Sequence, residues 1–330
     1  MTKGYAVFLT VTPPTPEDAK PVKEMHYDLQ DKWFAKYLFN FMKNEQLEKS
    51  MPLVFSDVRS TLDVLASQAM SSPTGEALTD PFDSIYRLVF QLTMRTLGIS
   101  DWASSSSPML AKSLNWFETI DKSTSPIRII FPWLWTPNHF RRMTASAKLY
   151  FAVKDEFEHR QKTGERKEDA MQHLMDNGED AMKVLIFIIA SLYAAHLNTS
   201  TMACWLVVYL AAEENRDWLM RVRGEVDAVI KRHRTSEGQS VGEVLAGLTL
   251  EEWEEEFPMI QLSLKETTRL QAVGTSFRRN VSGKDVVLGS QGEVVPHGGF
   301  AVGYCSLLLL QTLLLSFLFL FPFPFPFRRP

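Results

Sequence analysis

From Val184 to Ala212 the chain carries no charged side chain, and His196 is the one group there that titrates near neutral pH. An uncharged stretch of this length either spans a bilayer or forms the central helix of a large soluble core, apolar all round because every face is covered. Within it sit His196, Asn198, Thr199, Ser200 and Thr201. A polar cluster inside a buried helix needs partners or a cavity. Whatever the rest of the chain does, it must cover this helix.

The other segments are suited to that task. The chain has 330 residues, 45% hydrophobic and 22% charged, which is ordinary for a globular protein and enough for a sizeable core. A net charge of −4 with no basic stripe argues against nucleic acid as a partner. The two cysteines, Cys204 and Cys305, form neither a disulfide framework nor a zinc site. Cys204 reads as a small buried hydrophobe, and the pair suits a reducing compartment or the cytosolic side of a membrane. The apolar run Tyr5–Val11 ends at Pro13 and is too short for a signal peptide or a spanning helix.

Helical periodicity dominates from Tyr27 to Leu270. Residues 27–49 predict an amphipathic helix with Trp33, Tyr37, Leu38 and Phe41 on one face. Further helices are predicted at 57–70, 81–98, 109–121, 139–161, 179–211 and 215–233, and from Pro258 through Leu270. Asp80-Pro81 opens one with a capping acid and a first-turn proline, and Gly98 suits its end. Aromatics and prolines crowd residues 126–140, which suggests irregular chain packed on apolar surface. After residue 276 the period changes to short apolar runs broken by glycines and the turn Pro296-His297-Gly298-Gly299, predicting three or four short strands. The fold class is mainly α with a small β region.

Glu266 and Arg269, in Lys-Glu-Thr-Thr-Arg-Leu, share a helix face at i, i+3 and can pair. Such pairs are common on surface helices. In this setting, ahead of short strands and a Pro-x-Gly turn, the motif resembles the K helix of the cytochromes P-450. The long uncharged helix resembles the family's I helix. The stretch after it, with the Arg-x-Glu pair Arg223 and Glu225, resembles the end of helix I and helix J. The likeness covers residues 25–304. A P-450-like fold is implied, truncated at both ends, with residues 1–304 a partial family domain and residues 305–330 outside it. On this resemblance the Glu266–Arg269 pair is expected to sit in a soluble core.

The resemblance also implies site residues. In Ala194-Ala195-His196-Leu197-Asn198-Thr199, Thr199 would be the alcohol that delivers protons beside bound dioxygen, and Asn198 stands where many members have an acid. The Asn-Thr version is most like the branch of cholesterol 7-alpha-hydroxylase and prostacyclin synthase, which leaves isomerase chemistry on a peroxide open. Ala195 would border the cofactor. Arg279, or its neighbour Arg278, would hold a haem propionate. His196 is not expected to bind metal, since no second ligand follows at helical spacing. The basic run Lys231–Arg234 reads as a solvated helix end or a dock for an acidic redox partner.

The implied function is a haem monooxygenase acting on an apolar, lipid- or sterol-like molecule. It would take electrons from an NADPH-dependent reductase at the cytosolic face of the endoplasmic reticulum membrane. The family loop Phe-x-x-Gly-x-x-x-Cys-x-Gly, which supplies the axial thiolate, is not found after Tyr304. The chain by itself is therefore expected to be inactive. The rival readings are a non-catalytic remnant that binds an apolar ligand or a partner, and a helical membrane protein. Residues 300–321 are uncharged and are followed by alternating Pro and Phe. This tail reads either as a membrane span or as translated intron, because polypyrimidine tracts encode Leu, Ser, Phe and Pro.

Overall fold

The computed structural model describes residues 25–42, 44–70, 79–124, 127, 131, 133–271, 275–288 and 292–304. The apolar tail and Cys305 lie outside them. Two compact units emerge, one of residues up to Ser200 with Leu245–Gly247, the other of Thr201–Val244 and residues from Leu248 onward.

The first unit is helical. Its elements are α1 (Met25–Phe41), α2 (Asn44–Met70), α3 (Pro81–Leu97), a 3-10 turn (Ser100–Ala103), α4 (Pro108–Lys122), α5 (Pro137–Thr163), α6 (Ala170–Asp176) and α7 (Ala181–Ser191). A π turn, Leu192–His196, joins α7 to α8 (Leu197–Ala211), which runs on into the second unit. One cap recurs. Asp80, Ser107 and Thr136 each accept a first-turn N–H, and each is followed by a proline whose missing donor removes an orphan. Gly98 closes α3 without a left-handed turn; a Cβ there would lie 2.9 Å from the Met94 carbonyl oxygen.

The core of this unit is built on Phe90, Phe117, Phe187, Leu149, Val153, Met171 and Ile188, each at most 2% exposed. α1 docks as its pattern predicts, with Tyr37 and Leu38 buried. Trp33 Nε1 and the Tyr37 hydroxyl both donate to Glu179 Oε1, at 2.7 and 3.0 Å. The helix expected over 27–49 breaks instead after Phe41. A second helix starts at Asn44 and runs through Pro52 to Met70. Proline removes one backbone hydrogen bond. The Arg95 guanidinium, gripping Asp57 at 2.8 and 3.0 Å, holds α2 against α3 beyond that point. The segment 126–140 also differs from expectation: Trp133 and Phe140 are exposed by 65% and 54% rather than packed on the core.

A buried ion pair ties the loops together. Arg160, at 1% side-chain exposure, donates from Nη1 and Nη2 to the Asp169 carboxylate at 2.8 and 2.9 Å. It also donates to Glu156 at 2.8 Å. Asp169 in turn accepts the N–H and hydroxyl of Ser100 and the N–H of Gln172, which caps α6. Burial opposes the Arg160 charge, but its bonds to Asp169 outweigh this and raise the guanidinium pKa above its usual value.

In the second unit, a 3-10 turn (Glu213–Asn215), α9 (Arg216–His233), α10 (Val241–Ala246), α11 (Leu250–Glu255) and α12 (Pro258–Gln271) precede four strands, α10 ending across the division between the units. These are β1 (Thr275–Arg279), β2 (Val286–Leu288), β3 (Glu293–Val295) and β4 (Phe300–Tyr304). β1 pairs antiparallel with β4, from Thr275 opposite Tyr304 to Arg279 opposite Phe300, and β2 pairs with β3. Asn280 organises the turns between them. Its side-chain amide donates to Lys284 O and Val295 O, and its backbone carbonyl accepts from Gly298 N, where φ is 77°.

Removing one partner of a buried pair leaves an uncompensated charge. Asp169→Ala should therefore lower the unfolding free energy by about 3–5 kcal/mol. Urea denaturation checks this, and a loss below ~1 kcal/mol would show that the pair is not what holds these loops.

Candidate functional site

Among the described residues, one helix is long and apolar enough to cross a membrane by length and composition, Ala181–Ala211. Its first half packs on α3 and α5 as a core helix does, with Val184, Phe187 and Ile188 at 1% exposure or less. It is interrupted once. At the π turn Leu192–His196, Leu197 N–H donates to Leu192 O, one residue further back than in an α-helix. A π turn inserts an extra residue, so side chains beyond it are rotated relative to those before.

The polar cluster lies at this break. Asn198 Nδ2 donates to Ala194 O at 3.0 Å, and Ser200 Oγ to Leu197 O at 3.3 Å. Thr199 is half-buried and its hydroxyl has no hydrogen-bond partner among the described residues. Ala195 is 7% exposed. Ile186, Ile189, Ala190, Ala194, Leu197 and Asn198 are only half-buried and recur at three- and four-residue spacing. The helix thus keeps one apolar, incompletely covered stripe leading to the break. The stripe is an apolar surface that a ligand or further chain can cover, and the Thr199 hydroxyl next to it in the sequence offers one exchangeable proton.

His196 faces the other way. It is fully buried, with ring centroids of Tyr86, Phe90 and Phe117 at 4.4, 5.3 and 5.9 Å. Neither ring nitrogen has a hydrogen-bond partner among the described residues. Desolvation pushes its pKa down from 6.5 to about 4.

Glu266 and Arg269 pair on α12 at 2.8 and 2.6 Å, and Arg269 holds the Glu266 carboxyl below its usual pKa. The pair does not sit in a core among the described residues. The side chains are 48% and 54% exposed, because the buried face of α12 is the one bearing Ser263, Thr267 and Thr268. Sequence reasoning singled out Glu225 only as half of a pair with Arg223. Its carboxylate instead accepts the N–H groups of Met259 and Ile260, at 2.6 and 3.1 Å. Glu225 on α9 thereby satisfies two orphan donors at the start of α12 and favours the positive end of its dipole. No local signal reveals this, since Glu225 lies more than thirty residues before the N–H groups it accepts.

Arg279 lies in β1 opposite Phe300, and the side chains of Arg278 and Arg279 are outside what the structure describes. In the basic run at the end of α9, Arg232 and His233 bond Glu256 at 2.6 and 2.8 Å. Glu252 joins them, 3.6 Å from His233 Nδ1. Cys204 is 1% exposed, as its apolar surroundings imply.

Two predictions follow from these contacts. Below about 6.5, His196 in the unfolded chain binds a proton that the folded protein refuses until about 4. Stability should therefore fall as pH drops through that window, by roughly 3 kcal/mol at its lower end. His196→Phe should remove most of this slope in thermal melts taken across the range; an unchanged slope would place the acid sensitivity elsewhere. Glu225→Gln should destabilise the chain by about 1–2 kcal/mol, and Glu266→Gln by less than ~0.5 kcal/mol, because the exposed pair is screened by solvent. The reverse order in matched urea melts would refute the assignment of the α12 anchor.

Comparison with known proteins agrees with this architecture. The cytochrome P-450 family model matches residues 26–299. The cytochrome P-450 monooxygenase nsrP of Aspergillus novofumigatus is 27% identical over 269 residues, 81% of this chain and 50% of that protein. The cytochrome P-450 monooxygenase dmxR5 of Cryptosporiopsis sp. is 27% identical over 301 residues, 90% of this chain and 55% of that protein. A lanosterol 14-alpha demethylase of Cunninghamella elegans is 23% identical over 237 residues. The chain spans about half the length of these curated relatives. With a family match over most of its residues, a mainly helical fold and a small β region, the chain belongs to the cytochrome P-450 family.

Proposed function

We propose that this chain is the distal and K-helix portion of a haem monooxygenase that oxidises an apolar, lipid- or sterol-like substrate. On this reading residues 1–304 form a partial family domain and residues 305–330 a tail outside it. The observation that carries the reading is the π turn at Leu192–His196, which sets Asn198 and Thr199 beside the uncovered apolar stripe of the central helix.

Haem, when bound, supplies dioxygen binding and the redox chemistry of oxygen insertion. The described residues suit its distal side and not its axial ligation, since Cys204 is enclosed in α8 and the thiolate loop is not found in the sequence. Ala195 and the half-buried isoleucines and alanines of the stripe would border the macrocycle and exclude water. Arg279 would pair with a propionate. Asn198 is already committed through Nδ2 to Ala194 O, and its Oδ1 can hold a water. An amide transfers no net proton, so the Thr199 hydroxyl is the group at this break that can pass one on. His196 takes no part, being neutral and sealed among aromatic rings. Electrons would come from an NADPH-dependent reductase, and the protein would work at the cytosolic face of the endoplasmic reticulum membrane. The 330 residues alone would be catalytically inactive.

A reduced, carbon-monoxide difference spectrum tests this. A thiolate-type band is expected from the product of the full gene and none from residues 1–330 supplied with haem. A thiolate band from the short chain would mean that Cys204 or Cys305 ligates iron; no band from the full product would sink the haem reading. In the full product, Thr199→Ala should lower product formation by about 10²-fold or more while Thr199→Ser retains most of it.

A further inference from the structure

Where α9 ends, His233 meets two carboxylates brought in by α11. Its Nε2 lies 2.8 Å from Glu256 Oε1 and its Nδ1 lies 3.6 Å from Glu252 Oε1. One ligand-type atom from each of the three residues falls within 4.8 Å of the other two. The side chains are mostly covered, with His233 at 22% exposure, Glu252 at 33% and Glu256 at 17%. The haem chemistry proposed above makes no use of them.

Local structure prepares this arrangement. Glu252 stands in the first turn of α11 and Glu256 at its C-cap, so their i, i+4 spacing puts both on one face. Each carboxylate has one oxygen already held from outside. Thr249 donates its N–H and its hydroxyl to Glu252 Oε2, at 2.7 and 3.0 Å, within the capping box of α11. Arg232 donates to Glu256 Oε2 at 2.6 Å. The remaining oxygen of each, Oε1, is the one directed at the imidazole. Outer hydrogen bonds that fix a carboxylate while its second oxygen faces inward are what orient the ligands of a metal ion.

The donor types select the ion. An imidazole nitrogen with two carboxylate oxygens suits zinc, which accepts three protein ligands and completes its shell with water. Calcium and magnesium need more oxygen ligands than this cluster offers. Two carboxylates against the single guanidinium of Arg232 also leave negative charge that a dication can balance. Ligands of a tetrahedral zinc ion lie roughly 3.3–3.5 Å apart. Opening the 2.8 Å contact by about half an ångström through side-chain rotation therefore makes room for the ion.

We propose that His233, Glu252 and Glu256 form a zinc site that clips the end of α9 to α11. The ion closes the chain between residues 233 and 252 into a loop, the kind of constraint a metal clip imposes. Glu256 directly precedes the start of α12, where Glu225 of the same α9 already holds the N–H groups of Met259 and Ile260. The metal and Glu225 thus tie both sides of the α11–α12 junction to one helix. The site stands apart from the haem chemistry and does not rest on it.

Isothermal titration of the full 330-residue chain with zinc chloride, after treatment with chelator, tests this. Wild type should bind one equivalent at low micromolar concentration, with a rise in melting temperature that EDTA reverses. His233→Gln, and Glu252→Gln combined with Glu256→Gln, should each weaken zinc binding about tenfold or more. Far-UV circular dichroism of the variants guards against loss of fold. Cobalt in place of zinc reads the ligands directly: wild type should show the intense visible bands of a tetrahedral ion, and His233→Gln should lose them. Equal zinc affinity in wild type and variants would put the ion on other residues and overturn the proposal. No zinc binding by wild type would leave these three residues an ion-pair network and overturn it as well. Variants that melt earlier yet keep the wild-type zinc affinity would refute it in the same way.

Discussion

The pairing of Arg160 with Asp169 is the contact on which the first unit's loops depend. A guanidinium at 1% exposure is tolerable only when its donors are matched, and Asp169 matches two of them while Glu156 takes a third. The same carboxylate then holds Ser100 after α3 and opens α6. One acid thus fixes the end of α5, the 3-10 turn and the start of α6. α7 follows within a few residues and carries the buried Val184, Phe187 and Ile188. The central helix therefore begins a few residues beyond a segment that this ion pair holds, and its own packing on α3 and α5 completes its placement.

What the central helix does with that placement is set by its single irregularity. A regular apolar helix would present a smooth face. The π turn rotates the following turn and brings Asn198 and Thr199 to the uncovered stripe, while His196 turns into an aromatic box. Two neighbouring polar residues therefore have opposite fates. Asn198 satisfies a backbone carbonyl within its own helix. His196 stays neutral because nothing there compensates a charge.

The helix ends follow simple chemistry, and most were readable. A small polar cap followed by proline opens α3, α4 and α5, although only Asp80-Pro81 was recognised as such in the sequence. The Glu266–Arg269 pair was equally legible as a contact but not as a burial. Periodicity says which residues share a face; it does not say which face the neighbouring elements cover. The same limit applies to residues 126–140, where aromatic crowding suggests a segment packed on apolar surface and the described rings, Phe131 with Trp133 and Trp135 with Phe140, meet each other at the surface.

The sequence by itself determined the helical class, the strand region after residue 276 and the long uncharged helix. These are consequences of apolar period, turn chemistry and local capping, all properties of near neighbours along the chain. Only the tertiary structure decided that Glu225 anchors α12, that Arg160 and Asp169 tie three segments, that the core helix breaks at Leu192–His196, and that Glu266 and Arg269 face solvent. Each of these depends on which distant residues meet, and on how a buried polar group is satisfied when they do. No window of neighbouring residues contains that information.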